Sequence, residues 1–211
     1  MGFCFTLDII IKVCYHYPMA KVILRYGKIE DDMAKAYCLN GKKLTERASQ
    51  ETDMVFVNQQ IKEYRKLWDE LGNDKIFSAI EGMTSKPFPN LNVVVNIVWA
   101  ARVTTAYSMM IPVTHDPDGF VITLSHELMH LSGGIFTPEF KEKYKDETLE
   151  ARVHIVINAM TEYLWRDVLN KPEYIDIHKE RCKKNNAVNH IRAWEIVDEV
   201  GYKKIIDTYL I

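Results

Sequence analysis

Residues 120–134 read FVITLSHELMHLSGG, and the fold of this stretch governs how the rest of the chain must be arranged. It holds His126, Glu127 and His130 in the spacing H-E-x-x-H. On an α-helix, four residues advance about 6 Å and about 40° past a full turn. His126 and His130 then lie one above the other on one face, where two imidazole nitrogens can meet a single metal ion. Glu127 is turned about 100° from His126. Its carboxylate falls beside such an ion, placed to take a proton from water. Asp118 or Thr123 can cap the start of the helix, and Gly133-Gly134 supply a left-handed stop. Phe120, Val121, Leu124, Leu128 and Leu131 surround the motif with apolar groups, so the helix is expected to be buried on most sides. Buried imidazole and carboxyl groups need partners, and a metal serves all three. The competing reading is two core histidines and a surface glutamate.

An open zinc site takes three protein ligands and leaves the fourth position to water. The third ligand is sought downstream. Thr137 to Lys145 reads as a polar loop, after which Asp146 is expected to cap a long helix from Glu147 to about Leu169. Glu147, Glu150 and His154 stand at i, i+3 and i+7 on it and share one face. Any of the three could reach the metal, and His154 would make an all-histidine site. Glu147 is equally explained by the dipole at the helix N-terminus.

The motif resembles the active-site helix of the zincin metallopeptidases, whose shared signature is HExxH. The metzincin branch continues as HExxHxxGxxH. This chain keeps Gly133 but has Phe136, which cannot bind zinc, at the third histidine position. The gluzincin branch takes its third ligand from a glutamate on a following helix, about twenty residues beyond the second histidine in two well-known groups. The resemblance therefore points to Glu150 first, with Glu147 and His154 as alternates. It covers Asp118 to Arg166 only. It implies an α+β zincin-like domain with a small, mostly antiparallel sheet, the motif helix and a helical C-terminal lobe. Its implied activity is zinc-dependent hydrolysis of peptide bonds in a peptide or protein substrate, with Glu127 as general base. In zincins an edge strand before the motif helix receives the substrate as an added strand, so Thr104 to Val113 is the candidate edge. Two other expectations share these residues: a regulatory protein that cuts one specific partner, and a non-catalytic, metal-stabilised binding scaffold.

The whole chain sets outer bounds. Its 211 residues, 47% of them hydrophobic, suffice for a substantial core. A single domain over residues 1–211 is expected, its sheet-and-helix part ending at residue 134 and its helical lobe following. The net charge of -2 argues against a nucleic-acid binder. No stretch approaches a transmembrane span. Asp8 and Lys12 interrupt the first apolar run, so it does not read as a signal peptide. Four scattered cysteines without a C-x-x-C pair suit a reducing cytoplasm better than a zinc ribbon.

Alternation over Ile9 to Tyr17 predicts a strand, and Ala20 to Tyr26 a second one completing a hairpin. Glu30 to Leu39 reads as a helix, and Thr45 to Ser49 as another helical turn. Asp53 opens a strong helix closed by Gly72-Asn73, and Lys75 to Met83 is a shorter one. Leu91 to Trp99 is a dense β-branched run, a buried strand, and Val103 to Val113 another. His115 lies in a polar turn that enters the motif helix. Pro172 starts a helix toward Cys182, and Val188 to Leu210 reads as one closing amphipathic helix. His16 has no partner at metal spacing and reads as a surface or satisfied strand histidine; His178 and His190 are isolated and read as surface or helix-end residues.

Overall fold

A computed structural model of the chain describes residues 20–39, 46–89, 92–100, 109–133 and 136–210. The first predicted strand, Ile9 to Tyr17, lies outside them, as does most of Val103 to Val113.

Strand β1, Lys21–Tyr26, is followed by helix α1, Lys28–Leu39, a short 3₁₀ turn, Glu46–Ser49, and helices α2, Met54–Leu71, and α3, Asn73–Thr84. Asp53 caps α2 as its sequence predicts, accepting from the Val55 and Phe56 amides at 3.1 and 3.0 Å. The chain then returns as β2, Asn92–Val98, and later as β3, Met110–Pro112.

The described strands form one sheet in the order β1-β2-β3, and both pairings are parallel. This overturns the mostly antiparallel sheet expected from the sequence, and the described residues are mostly helical. The reason is the connection. Three helices separate β1 from β2, long enough to carry the chain back to the same end of the sheet, and a crossover makes the returning strand parallel. β2 is paired on both sides and largely buried, which is why its sequence is a continuous apolar run instead of an alternation.

After the sheet, α4, Pro117–Leu131, carries the motif. Its cap is Asp116, whose carboxylate accepts from the Gly119 amide at 2.6 Å, with Pro117 in the first turn. Neither expected cap is used: Asp118 instead accepts from the Tyr174 hydroxyl, and Thr123 donates back to the Gly119 carbonyl. The polar loop expected after the motif contains a short helix, α5, Pro138–Lys143, capped by Thr137. Helix α6, Leu149–Tyr163, is capped by Thr148 in place of Asp146, and it runs into a π-helical turn, Leu164–Val168. Helix α7, Glu173–Lys184, follows. The closing helix is broken at Gly201 (φ 89°) into α8, Val188–Val200, and α9, Tyr202–Tyr209.

One cluster of buried apolar side chains runs from Ala20 and Leu24 through Tyr64, Ile97, Phe120 and Leu128 to Ile155, Trp194 and Ile205. Tyr64 fixes the entry to α4. Its ring stacks on Phe120 at 4.1 Å, and its hydroxyl lies 3.0 Å from the Val113 carbonyl and 2.5 Å from that of His115. The turn carrying His115 is thereby pinned to α2. No helix among the described residues is long and apolar enough to cross a membrane.

Candidate metal centre

Helix α4 delivers His126 and His130 to one point: their Nε2 atoms are 3.1 Å apart. Two imidazole nitrogens on a tetrahedral zinc ion would be about 3.3 Å apart, given Zn–N bonds of about 2.0–2.1 Å. Helix α6 adds His154, and one ligand atom from each of these three histidines lies within 4.8 Å of the others. The His154 ring stacks at 5.4 Å on His126 and meets His130 edge-on at 5.1 Å. Its Nδ1 is 2.8 Å from the Glu150 backbone carbonyl. A carbonyl only accepts, so Nδ1 carries the proton and Nε2 keeps its lone pair free for a metal.

The two expected glutamates are engaged elsewhere. The exposed Glu150 carboxylate accepts from the Asn189 side chain at 2.6 Å. Glu147 lies before the first turn of α6 and pairs with Arg192 at 2.8 Å. A carboxylate oxygen of Glu150 does group with His154 and His190, but not with the motif pair. Of the face expected for Glu147, Glu150 and His154, only Glu147 is lost, because the helix starts later than the sequence suggests; Glu150 and His154 stay one turn apart on α6.

His178 and His190, read from the sequence as isolated, belong to the same cluster. His178 on α7 lies 5.1 Å from His126, and His190 on α8 lies 3.6 Å from His154 and 5.6 Å from His126, all between ring centroids. His178, Cys182 and His190 form a second group whose ligand atoms also lie within 4.8 Å of one another. A signal for it was present: His178 and Cys182 are four apart, the same helical spacing as His126 and His130. Nothing local in the sequence reveals that α8 brings His190 to meet them.

These side chains line or adjoin a cavity of about 650 Å³ bounded by His115, His126, Glu127, His178, Arg181, Cys182 and His190, among others. Arg181 is part of this lining. Its guanidinium lies over Gly119, where an added Cβ would meet it at 1.7 Å, and it pairs with Asp116 at 3.3 Å. Glycine at 119 leaves the room over α4 that this guanidinium occupies.

Burial controls the electrostatics. It drives His130 and His190 down to about 4 and His178 to about 3, and holds His126 well below its ordinary value; neighbouring imidazoles push each the same way. Burial also lowers His154, against the opposing bond from the Glu150 carbonyl. Neutral imidazole is the ligating form. Glu127 is pushed up to about 7 by burial, and among the described residues it has no hydrogen-bond partner. Among the described residues, the Nδ1 atoms of His126, His178 and His190 are buried without a partner. Each such atom costs about 1–3 kcal/mol, a cost that a bound ligand can offset at nitrogens that reach it. Several of these histidine, cysteine and glutamate groups could hold a metal ion.

No protein-family model, curated protein or solved structure matches the chain.

Proposed function

We propose that this protein is a zinc-dependent hydrolase of peptide bonds, of zincin type, in which His126, His130 and His154 hold the ion and Glu127 is the general base. One observation carries the reading. Two helix-spaced imidazoles aim their Nε2 atoms at one point, 3.1 Å apart, with a third imidazole in reach and Glu127 lining the adjoining cavity. The ligand set favours the all-histidine alternative. His154 is buried against both motif rings with its tautomer fixed, while Glu150 and Glu147 are drawn to Asn189 and Arg192.

Zinc bound there would supply a Lewis acid that polarises a scissile carbonyl and acidifies water. The chain's own part lies with Glu127. A carboxyl titrating near 7 is ionised in a large fraction at neutral pH, yet basic enough to take a proton and return it to a leaving amine. His154 is held on Glu150's carbonyl, which fixes the direction of its free nitrogen. A peptide or protein substrate enters by the cavity, whose volume of about 650 Å³ is typical of ligand sites.

A closed, non-catalytic zinc centre is the second reading. It is favoured by His190, whose ring is near enough to His154 to fill the fourth position. Two measurements separate the readings: hydrolysis of a peptide pool and of unfolded protein by the zinc-loaded chain, and X-ray absorption at the zinc edge of the Cys182→Ser chain, where the neighbouring thiol adds no sulfur ligand. The hydrolase reading expects three histidine nitrogens plus a water oxygen, and activity that falls at least about a hundredfold in Glu127→Gln while zinc is retained. Four protein ligands with no activity would overturn it.

A further inference from the structure

We propose that His178, Cys182 and His190 form a second metal site, for a thiophilic d-block dication of the zinc class, facing the same cavity as the motif histidines. The inference stands on α7 and α8 and does not depend on the hydrolase reading.

The geometry is that of a ligand set. His178 and Cys182 are one helical turn apart on α7 and so project from one face. His190, in the first turn of α8, comes to meet them, and the three ligand atoms lie within 4.8 Å of one another. Around zinc such atoms would be about 3.3–3.6 Å apart, from bonds of about 2.0–2.1 Å to nitrogen and about 2.3 Å to sulfur. Small side-chain rotations close the difference. Two further observations point to a ligand. His178 is 9% exposed, yet its Nδ1 is buried with no partner, and so is that of His190. Cys182 is a free, buried thiol beside them.

The donor types select the metal. One sulfur and two imidazoles suit zinc-class ions and exclude magnesium and calcium, which take oxygen ligands. Three protein ligands leave the fourth position toward the cavity that His178, Cys182 and His190 all line, so the ion has an entry path. His190 is assigned here, and not with Glu150 and His154, because Glu150's carboxylate is already held by Asn189 at 2.6 Å. The two groups are neighbours: His126 lies 5.1 Å from His178, and His154 lies 3.6 Å from His190. The site would therefore hold two ions side by side in one cleft.

The test is a titration of the full chain, freed of metal by chelation, with Co²⁺. The expected result is two equivalents bound and a near-ultraviolet thiolate-to-cobalt charge-transfer band. Cys182→Ser should lose the band and one equivalent while keeping the visible cobalt bands of the motif site. His130→Ala should do the reverse, losing one equivalent and keeping the thiolate band. The band in His130→Ala upholds the second site even if the motif site fails. Should Cys182→Ser not fold, by circular dichroism, His178→Gln is read for the loss of the same band. A wild-type chain with no thiolate band overturns the proposal. So does loss of all cobalt binding in both variants while they stay folded, because that denotes a single shared site.

Discussion

His126 lies at the centre of the cluster, with ring centroids of four other histidines between 4.8 and 5.6 Å away. Replacing His154 by alanine removes a ring nitrogen from the motif group. Replacing Glu150 by alanine removes a surface carboxylate but keeps the backbone carbonyl that orients His154. His154→Ala should therefore weaken zinc binding by at least about a hundredfold, and Glu150→Ala by less than about tenfold, the lower end of orienting-residue effects. Competitive zinc titration of both variants at one pH measures this, and the reverse order would return the third ligand to Glu150. The motif itself was legible because its two histidines and its glutamate are fixed by helical period alone. The choice between Glu150 and His154 was not, because it turns on other helices: Asn189 of α8 holds the Glu150 carboxylate, while His154 packs against the His126 and His130 rings of α4. The start of α6 decides only Glu147. Thr148 accepts from the Ala151 amide and starts the helix there, leaving Glu147 outside it.

At the scale of elements, caps and breaks explain most of the differences between expectation and structure. Asp116 does two jobs, capping α4 through the Gly119 amide and pairing with Arg181 of α7. Asp116→Ala should destabilise the fold by about 1 kcal/mol, mostly through the lost cap, since an exposed ion pair adds little. The urea midpoint checks this, and an unchanged midpoint would remove Asp116 from the account. Gly201 ends α8 with φ of 89°, which an L side chain rarely adopts. Gly201→Ala should cost about 1 kcal/mol or more for that reason, again read from the midpoint. The apolar period across Val188 to Leu210 continues through this break, so it conceals the glycine turn. The parallel sheet had a sequence signature in the unalternating run of β2, but a run of that kind also suits a buried antiparallel strand. The three intervening helices are what decide between them.

The whole molecule brings together histidines that the sequence scatters over four helices, and in the metal-free state they set its acid response. His126, His130, His178 and His190 titrate in the fold at or below about 4 or well below the ordinary value, against about 6.5 unfolded. Below that pH the unfolded chain binds the extra protons, so stability is fully present above about 6.5 and is lost as pH falls toward about 4. Glu127 acts oppositely. Its folded value of about 7 lies above the unfolded value near 4.3, so its contribution is present at low pH and lost as pH rises toward 7. Four imidazoles outweigh one carboxyl. The metal-free protein should have a lower denaturant midpoint at pH 5 than at pH 7.5, and Glu127→Gln should steepen the fall. Equal midpoints at the two pH values would contradict burial of the neutral cluster. His178 shows one partner in the sequence, Cys182 a turn away on α7, but His190 and the motif histidines lie on other helices, and only α7 and α8 packing against α4 and α6 unites them.

In the proposed site His126 and His130 hold zinc, with Glu127 beside it and not on it. Elemental analysis of the zinc-loaded protein, after removal of free metal, tests that directly in wild type, His130→Ala and Glu127→Gln. Equal zinc is expected in wild type and Glu127→Gln, and one equivalent less in His130→Ala. Zinc absent from the wild type, or lost from Glu127→Gln as it is from His130→Ala, would contradict this arrangement.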